Sequence, residues 1–359
     1  MDIVLEVFDT VFLDRLYATL LPTSLWSVLQ DSAAQVSTGG TASAIATFSS
    51  AREQATTAYE YRAASQYLQL QPSKWAYQSA WPRDNVYRQA LSLYLITWLF
   101  GLLVYFICAG LSYRYVFDKT TLLHPKFLKN QIRLEIRQTM ESMPVMAIFT
   151  TPFFLAEVRG HSKLYDTTPE GPGWWYNWLQ IPFFICFTDF CIYFIHRGLH
   201  YPPIYKRLHK PHHKWIMPTP YASHAFHPLD GFSQSLPYHI FPFLFPLQKF
   251  AYVGLFFFIN IWTVFIHDGE YVANSPVING AACHTMHHLY FNYNYGQYTT
   301  LWDRLGGSYR QPNEELFNRE SKMGKKEWDR QVKEMENMVR EVEGTDERSY
   351  GAETDKKVQ

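Results

Sequence analysis

WLQIPFFICFTDFCIYFIHRGLH, residues 178–200, carries one carboxylate inside an apolar run and ends on two histidines four residues apart. The run 178–195 lies near the short end of what spans a hydrocarbon core of about 30 Å. A carboxylate in such a segment is costly, so Asp189 is by default a functional residue. Asp189, Tyr193, His196 and His200 are spaced by four, three and four, which places them on one helical stripe. The stretch predicts a membrane helix whose end opens into ligand chemistry.

Other apolar blocks lie at 93–113, 142–158 and 235–266. The last, with Pro237, Pro242 and Pro246, reads as a broken hairpin of two segments. An all-α membrane protein follows, with about four transmembrane helices or helical hairpins. Its organisation divides into an N-terminal region 1–85, a membrane-embedded domain 86–312 and a charged tail 313–359. Lysine plus arginine equal aspartate plus glutamate at 32 each, so no net field draws nucleic acid or acidic partners.

Basic residues in the short loops set the orientation. Arg114, Lys119, Lys126, Lys129, Arg133 and Arg137 follow the first block, and Arg197, Lys206, Arg207, Lys210 and Lys214 follow the third. Only Arg159 and Lys163 lie between the second and third. The two basic loops, and with them the C-terminus, are expected in the cytosol. Lys356 and Lys357, near that end, resemble a dilysine retrieval signal for the endoplasmic reticulum. The opening MDIVLEVFD is acidic where a secretory signal would be basic. Residues 32–51 are of low complexity and expected to be flexible. The tail, alternating in charge sign, reads as a solvated helix or a partly ordered segment. Cys108, Cys186, Cys191 and Cys283 form no CxxC pair and read as packing residues.

Eight of the 14 histidines fall in three clusters. HRGLH holds His196 and His200, HKPHH holds His209, His212 and His213, and HTMHH holds His284, His287 and His288. Spacings of three and four let each cluster aim its rings at one point. Imidazole suits zinc, copper, iron and nickel alike, so the ligands alone do not name the metal. Eight ligands exceed the needs of one ion and suggest two. His267, where the hairpin returns, is a further candidate ligand; His224 and His227 could bind a metal or hold a ligand. His239 ranks lower, and His124 and His161 read as structural. Asp189 is expected to hydrogen-bond a ligand imidazole and fix its tautomer.

HRGLH, HKPHH and HTMHH, with Asp189 upstream, resemble the membrane fatty acid hydroxylase and sterol desaturase superfamily. Within it, FIHDGEYVANSPVINGAACHTMHHLYFNYNYGQYTTLWDRLGGSYRQP (265–312) is similar to sterol C5-desaturases, and WPRDNVYRQ points the same way. The resemblance covers roughly residues 75–312. It implies a non-haem di-iron centre held by the eight clustered histidines, with His267 and His227 added. It further implies a Δ7-sterol substrate such as episterol, dioxygen as co-substrate, and electrons from NAD(P)H through cytochrome b5 and its reductase. No HPGG-type cytochrome b5 motif occurs in the chain, so the donor would be a separate partner. Asp303, in LWDRLGG, is a candidate to brace a ligand. C4-methyl sterol oxidases and fatty acid hydroxylases share the clusters and are the nearest alternatives. A metal transporter, from another class, would place its ligands at mid-membrane on discontinuous helices, not at helix ends.

Overall fold

The computed structural model describes residues 1–23, 60–271, 275–318 and 324–350. The low-complexity stretch 32–51 and the lysine pair 356–357 lie outside the described residues. The chain forms two compact units, Met1–Ile96 with Thr151–Ser162, and Thr97–Thr150 with Lys163–Gln359.

In the first unit, α1 (Asp2–Phe8) and α2 (Asp14–Leu20) are joined by a π-helical turn, Asp9–Leu13. Ile3, Leu5, Leu13, Tyr17 and Ala18 are buried, giving one apolar face at helical spacing. The same face carries Asp9 and Asp14 inward. Asp14 takes a bidentate pair from Arg83 at 3.0 and 2.6 Å, while Arg88 bonds Asp9 at 2.7 Å and Asp14 at 2.8 Å. Arg88 also donates to the Trp81 carbonyl and lies over the Tyr17 ring. The two arginines of WPRDNVYRQ therefore anchor the N-terminal helices. Removing one partner of a buried ion pair strands the other, at about 3–5 kcal/mol. Arg88→Ala is expected to destabilise this unit by that amount, read as faster proteolysis within residues 1–85 of the purified chain; an unchanged rate would show the pairs to be dispensable.

α3 (Val86–Tyr115) starts where the Asn85 side chain accepts from the amides of Tyr87 and Arg88, the usual way a helix satisfies its first donors. α4 (Gln131–Val158) contains the block 142–158, extended at its start by polar turns. In the second unit, α5 (Tyr176–Leu199) contains the opening stretch and ends at His200. Block 235–266 falls in two helices, with Pro246 at the break, while Pro237 and Pro242 lie inside the first of them. The helices are α7 (Pro228–Leu244) and α8 (Lys249–Ile266), joined through the two-residue strand Leu247–Gln248, which pairs in parallel with Leu164–Tyr165. Between α5 and α7 lies the four-residue α6 (Lys210–His213). Beyond α8 come α9 (Ala281–Tyr290), α10 (Leu301–Leu305) and α11 (Lys325–Val342).

Three of the described helices, α3, α5 and α8, are long and apolar enough to cross a membrane. Only 28%, 33% and 28% of their most apolar windows are buried within the protein. Leu99, Phe106 and Leu111 on α3, Ile181, Phe190 and Phe194 on α5, and Phe257 and Phe265 on α8 stand exposed. Apolar surface on that scale needs lipid against it. Phe183 and Phe187 instead pack edge-on against Phe241 and Phe245 of the α7 end.

A hydrophobic core lies beyond the helix ends. Tyr205, Trp215, Ile216, Met286, Leu289, Tyr290 and Phe291 are fully buried there, with Met335 and Val339 from α11. The tail is thus not a solvated appendage. Its charges line the outer face, while Gln331, Met335 and Val339, four apart, make a buried stripe that the sign alternation obscures.

Candidate metal centre

Nine imidazoles converge, in two sets. His196, His200, His209, His213 and His287 form the first; His212, His267, His284 and His288 form the second. Within each set one nitrogen per ring lies within 4.8 Å of the others. The sets adjoin, with the His213 and His288 ring centroids 5.1 Å apart. Each HxxHH motif divides between them, a difference from the expectation that a cluster aims at one point. His209, the N-cap of α6, and His213 are four apart and point the same way, while His212 faces the other set. In α9 the pattern reverses: His284 and His288 go together, and His287 turns to the first set.

Hydrogen bonds fix which nitrogen faces inward. His196 donates from Nδ1 to the Tyr295 carbonyl at 2.9 Å, and His287 from Nδ1 to the Tyr293 carbonyl at 2.7 Å. His267 does the same to the Thr263 carbonyl at 2.7 Å, and His209 to the Asp230 carboxylate at 2.8 Å. Carbonyl and carboxylate oxygens only accept, so Nδ1 carries the proton and Nε2 is left as a lone pair. Yet Nε2 of His196 and Nε2 of His209, both lone pairs, lie 3.1 Å apart, where they repel unless a cation binds both. In the second set the lone pair on Nε2 of His267 lies 3.0 Å from Nε2 of His284. Both ring nitrogens of His200 and His213, with Nε2 of His287, are buried without a hydrogen-bond partner, which for groups of this kind asks for a ligand. The donor set therefore fits two metal ions.

Burial, then neighbouring imidazoles, hold His200, His212, His213, His284, His287 and His288 well below the usual imidazole range. Burial pushes His267 down to about 4. These rings are neutral near neutral pH, the protonation state a metal requires.

The turn after α9 is what lets two backbone carbonyls reach ligand rings. Phe291 and Asn294 adopt φ of 57° and 58°. Asn tolerates that region, whereas a bulky buried Phe there is strained, as backbone at functional sites often is. Asn294 is held by its side chain to the carbonyls of Cys283 and Arg310. Asp303 then accepts from the amides of Tyr295 and Gly296 and from Ser308. Asp189 accepts from the amides of Gln297, Tyr298 and Thr299 and from the Thr299 hydroxyl. A Cβ at position 296 would collide with the Thr299 carbonyl, so only glycine fits this tight turn.

Asp189 was expected to bond a ligand imidazole, and it does not. Its oxygens are taken by the 297–299 backbone, so it braces the loop whose Tyr295 carbonyl orients His196. The carboxylate that touches a ligand ring is Asp230, three residues after His227, which the sequence reading missed. Asp230 is itself held by Gln234 at 2.7 Å. The two lesser candidates lie outside both sets. His224 pairs with Ser223 and Asn260, and the His227 Nδ1 accepts from the Leu229 amide to cap α7. His239 meets Thr150.

A second support comes from α4. Gln131, Glu135, Gln138 and Ser142, spaced four, three and four, lie on one stripe. Gln131 donates to the Met217 carbonyl, Glu135 accepts from the Thr219 amide and hydroxyl, Gln138 donates to the carbonyls of Pro211 and Ala225, and Ser142 donates to that of Phe226. Together they hold the segment 211–226, which runs from α6 with His212 and His213 to the start of α7. Burial raises the Glu135 carboxyl to about 7. Its helical spacing in the first turns of α4 was the available signal.

The fatty acid hydroxylase family matches residues 181–308, which enclose all three clusters. The Δ7-sterol 5(6)-desaturase of Leptosphaeria maculans is 63% identical over 366 residues, spanning 100% of both chains. That of Aspergillus fumigatus is 65% identical, covering 98% of this chain and 97% of its own. The Candida albicans enzyme is 58% identical over 75% of this chain and 70% of its own. No solved structure matches the chain. Identity of this level, running through the histidine sets and on through both termini, leaves one assignment: the chain belongs to the Δ7-sterol 5(6)-desaturase family.

Proposed function

We propose that the chain is a sterol C5-desaturase, introducing the C5–C6 double bond into Δ7-sterols of the episterol type during ergosterol-type biosynthesis. Nine imidazoles in two adjoining sets, eight of them buried and three of them (His196, His200 and His267) at the ends of the long apolar helices α5 and α8, carry this reading. Taking hydrogen from two saturated carbons is an oxidation that no side-chain acid or base performs. Iron at the two sets would supply dioxygen activation, with His196, His200, His209, His213 and His287 holding one ion and His212, His267, His284 and His288 the other. Dioxygen accepts the substrate's two hydrogens, with two further electrons and two protons, and leaves as water.

The chain's own residues bind, orient and shield. Asp230 and the Tyr293, Tyr295 and Thr263 carbonyls fix ring tautomers. Trp215, Tyr205, Phe291 and Tyr290 exclude water on the side away from the membrane helices. The apolar substrate would arrive from the bilayer and electrons from the opposite side, through NAD(P)H, cytochrome b5 reductase and cytochrome b5. That division suits an endoplasmic reticulum membrane protein with its centre and C-terminus in the cytosol, the orientation favoured by the basic loops.

Sterol profiling of cells lacking the chain tests the reading. Δ7-sterols without the 5,6 double bond should accumulate and disappear on re-expression. Accumulated 4-methyl sterols, or unhydroxylated sphingolipids, would overturn it in favour of a related oxygenase.

A further inference from the structure

α6 carries two ligand rings in four residues, with a third, His209, at its N-cap, and a helix that short cannot hold its own ends. Both ends are held by the C-terminal segment. Arg348 donates to the backbone carbonyl of His213 at 3.0 Å, capping the last turn. Lys210, at the other end, pairs with Glu343 at 3.2 Å. Glu343 and Arg348 join the two grips through a double hydrogen bond at 2.7 and 3.0 Å. Both side chains are removed from solvent, at 0% and 5% exposure, so the pair is not a surface accident.

A third contact reaches the rings themselves. Tyr205, fully buried, donates its hydroxyl to Glu343 at 2.9 Å. Its ring lies 5.5 Å from that of His200 and 5.7 Å from that of His213. The segment is in turn tied down beyond Arg348. The Lys129 amide donates to the Ser349 carbonyl, and the Tyr350 ring lies 4.4 Å from the Lys126 ammonium. α11 contributes Met335 and Val339 to the core beneath Trp215.

We propose that Arg348 and Glu343 are positioning residues of the metal centre, and that the segment 325–350 clamps α6 so that His209 and His213 keep the first set closed. The inference rests on the metal reading above. A buried ion pair gives little net stability over an apolar substitute; its return here is geometric, since the bidentate fork sets the height of the His213 carbonyl.

The test uses the full-length chain, purified in detergent and loaded with iron. Wild type, Arg348→Ala, Arg348→Lys and Tyr205→Phe are compared for iron per chain, for the rate of iron removal by a chelator, and for kcat and KM toward a Δ7-sterol. Arg348→Ala should release iron about tenfold faster or more, the usual scale for losing a ligand's support. Its kcat should fall while KM for the sterol stays unchanged. Arg348→Lys keeps the charge but not the fork, and should recover part of the retention. Wild-type iron release and kcat in Arg348→Ala would overturn the clamp. Should that variant fail to fold, Tyr205→Phe, which removes one hydroxyl, decides: faster release supports the clamp and an unchanged rate overturns it. A wild-type chain that binds no iron defeats the metal reading itself, and that is visible before any variant is made.

Discussion

His287→Ala is expected to abolish sterol desaturation and empty the first ion site while the chain still inserts in the membrane. The His287 ring sits among His196, His200 and His213, with centroid separations of 4.4, 4.9 and 4.7 Å. Its Nε2 is buried without a hydrogen-bond partner, and the Tyr293 carbonyl holds the ring in that orientation from the other side. Alanine at this position also leaves a cavity among buried polar rings, which water would enter and which the oxidation chemistry must exclude. A fall in activity of more than about 100-fold is expected, since reactions that depend on a metal do not survive the loss of one of its few ligands. Complementation of a deletion strain, with iron analysis of the purified variant, checks it. His227→Ser is the contrasting case. Serine caps helices well, so α7 keeps its start, and activity should persist because His227 stands outside both sets. Full activity in His287→Ala would remove it from the centre.

How much of this was legible in sequence depends on the distance over which each feature acts. The ligand motifs were legible because spacing along a helix is local. Their division was not. Residues four apart sit about 40° from each other around a helix axis, and adjacent ones about 100°, so HxxHH must split between two directions; which ring joins which set depends on partners from other helices. His267 was legible because the α7–α8 hairpin had to return its end to the clusters. Asp189 was rightly singled out as a polar group in an apolar helix. Its partners lie more than 100 residues onward, at 297–299, and no periodicity reports them. Asp230 carried no signal beyond closeness to His227, since a carboxylate in a helix's first turn is also what the helix dipole favours. In the tail, the alternating charges were read and the Gln331–Met335–Val339 stripe was not, which hid the support that Arg348 and Glu343 give to α6. The resemblance read on 75–312 was likewise too narrow, because relatives align through both ends.

Asp230→Asn separates support of a ligand from mere occupancy of its neighbourhood. The carboxylate is fully buried and accepts at both oxygens, from the His209 Nδ1 at 2.8 Å and the Gln234 amide at 2.7 Å. Asparagine has nearly the same shape, so packing should survive. It has only one accepting oxygen, and two donors compete for it. If Gln234 keeps the oxygen, the new amide nitrogen faces His209 as a donor and drives the ring proton to Nε2. That nitrogen would then no longer be a lone pair facing His196, and the first set would lose a ligand without losing a side chain. If His209 keeps the oxygen, the ring still loses the negative charge that raises its basicity toward a metal. Both routes weaken iron binding, and supporting carboxylates of this kind are typically worth about 10–100-fold in affinity or activity. The expected result is therefore a 10–100-fold drop in iron affinity or turnover, with a melting temperature close to wild type in the metal-free state. Measuring both matters: a large loss of metal-free stability with normal iron affinity per folded molecule would assign Asp230 to packing. A loss confined to the iron-dependent quantities would instead assign it to the tautomer of His209.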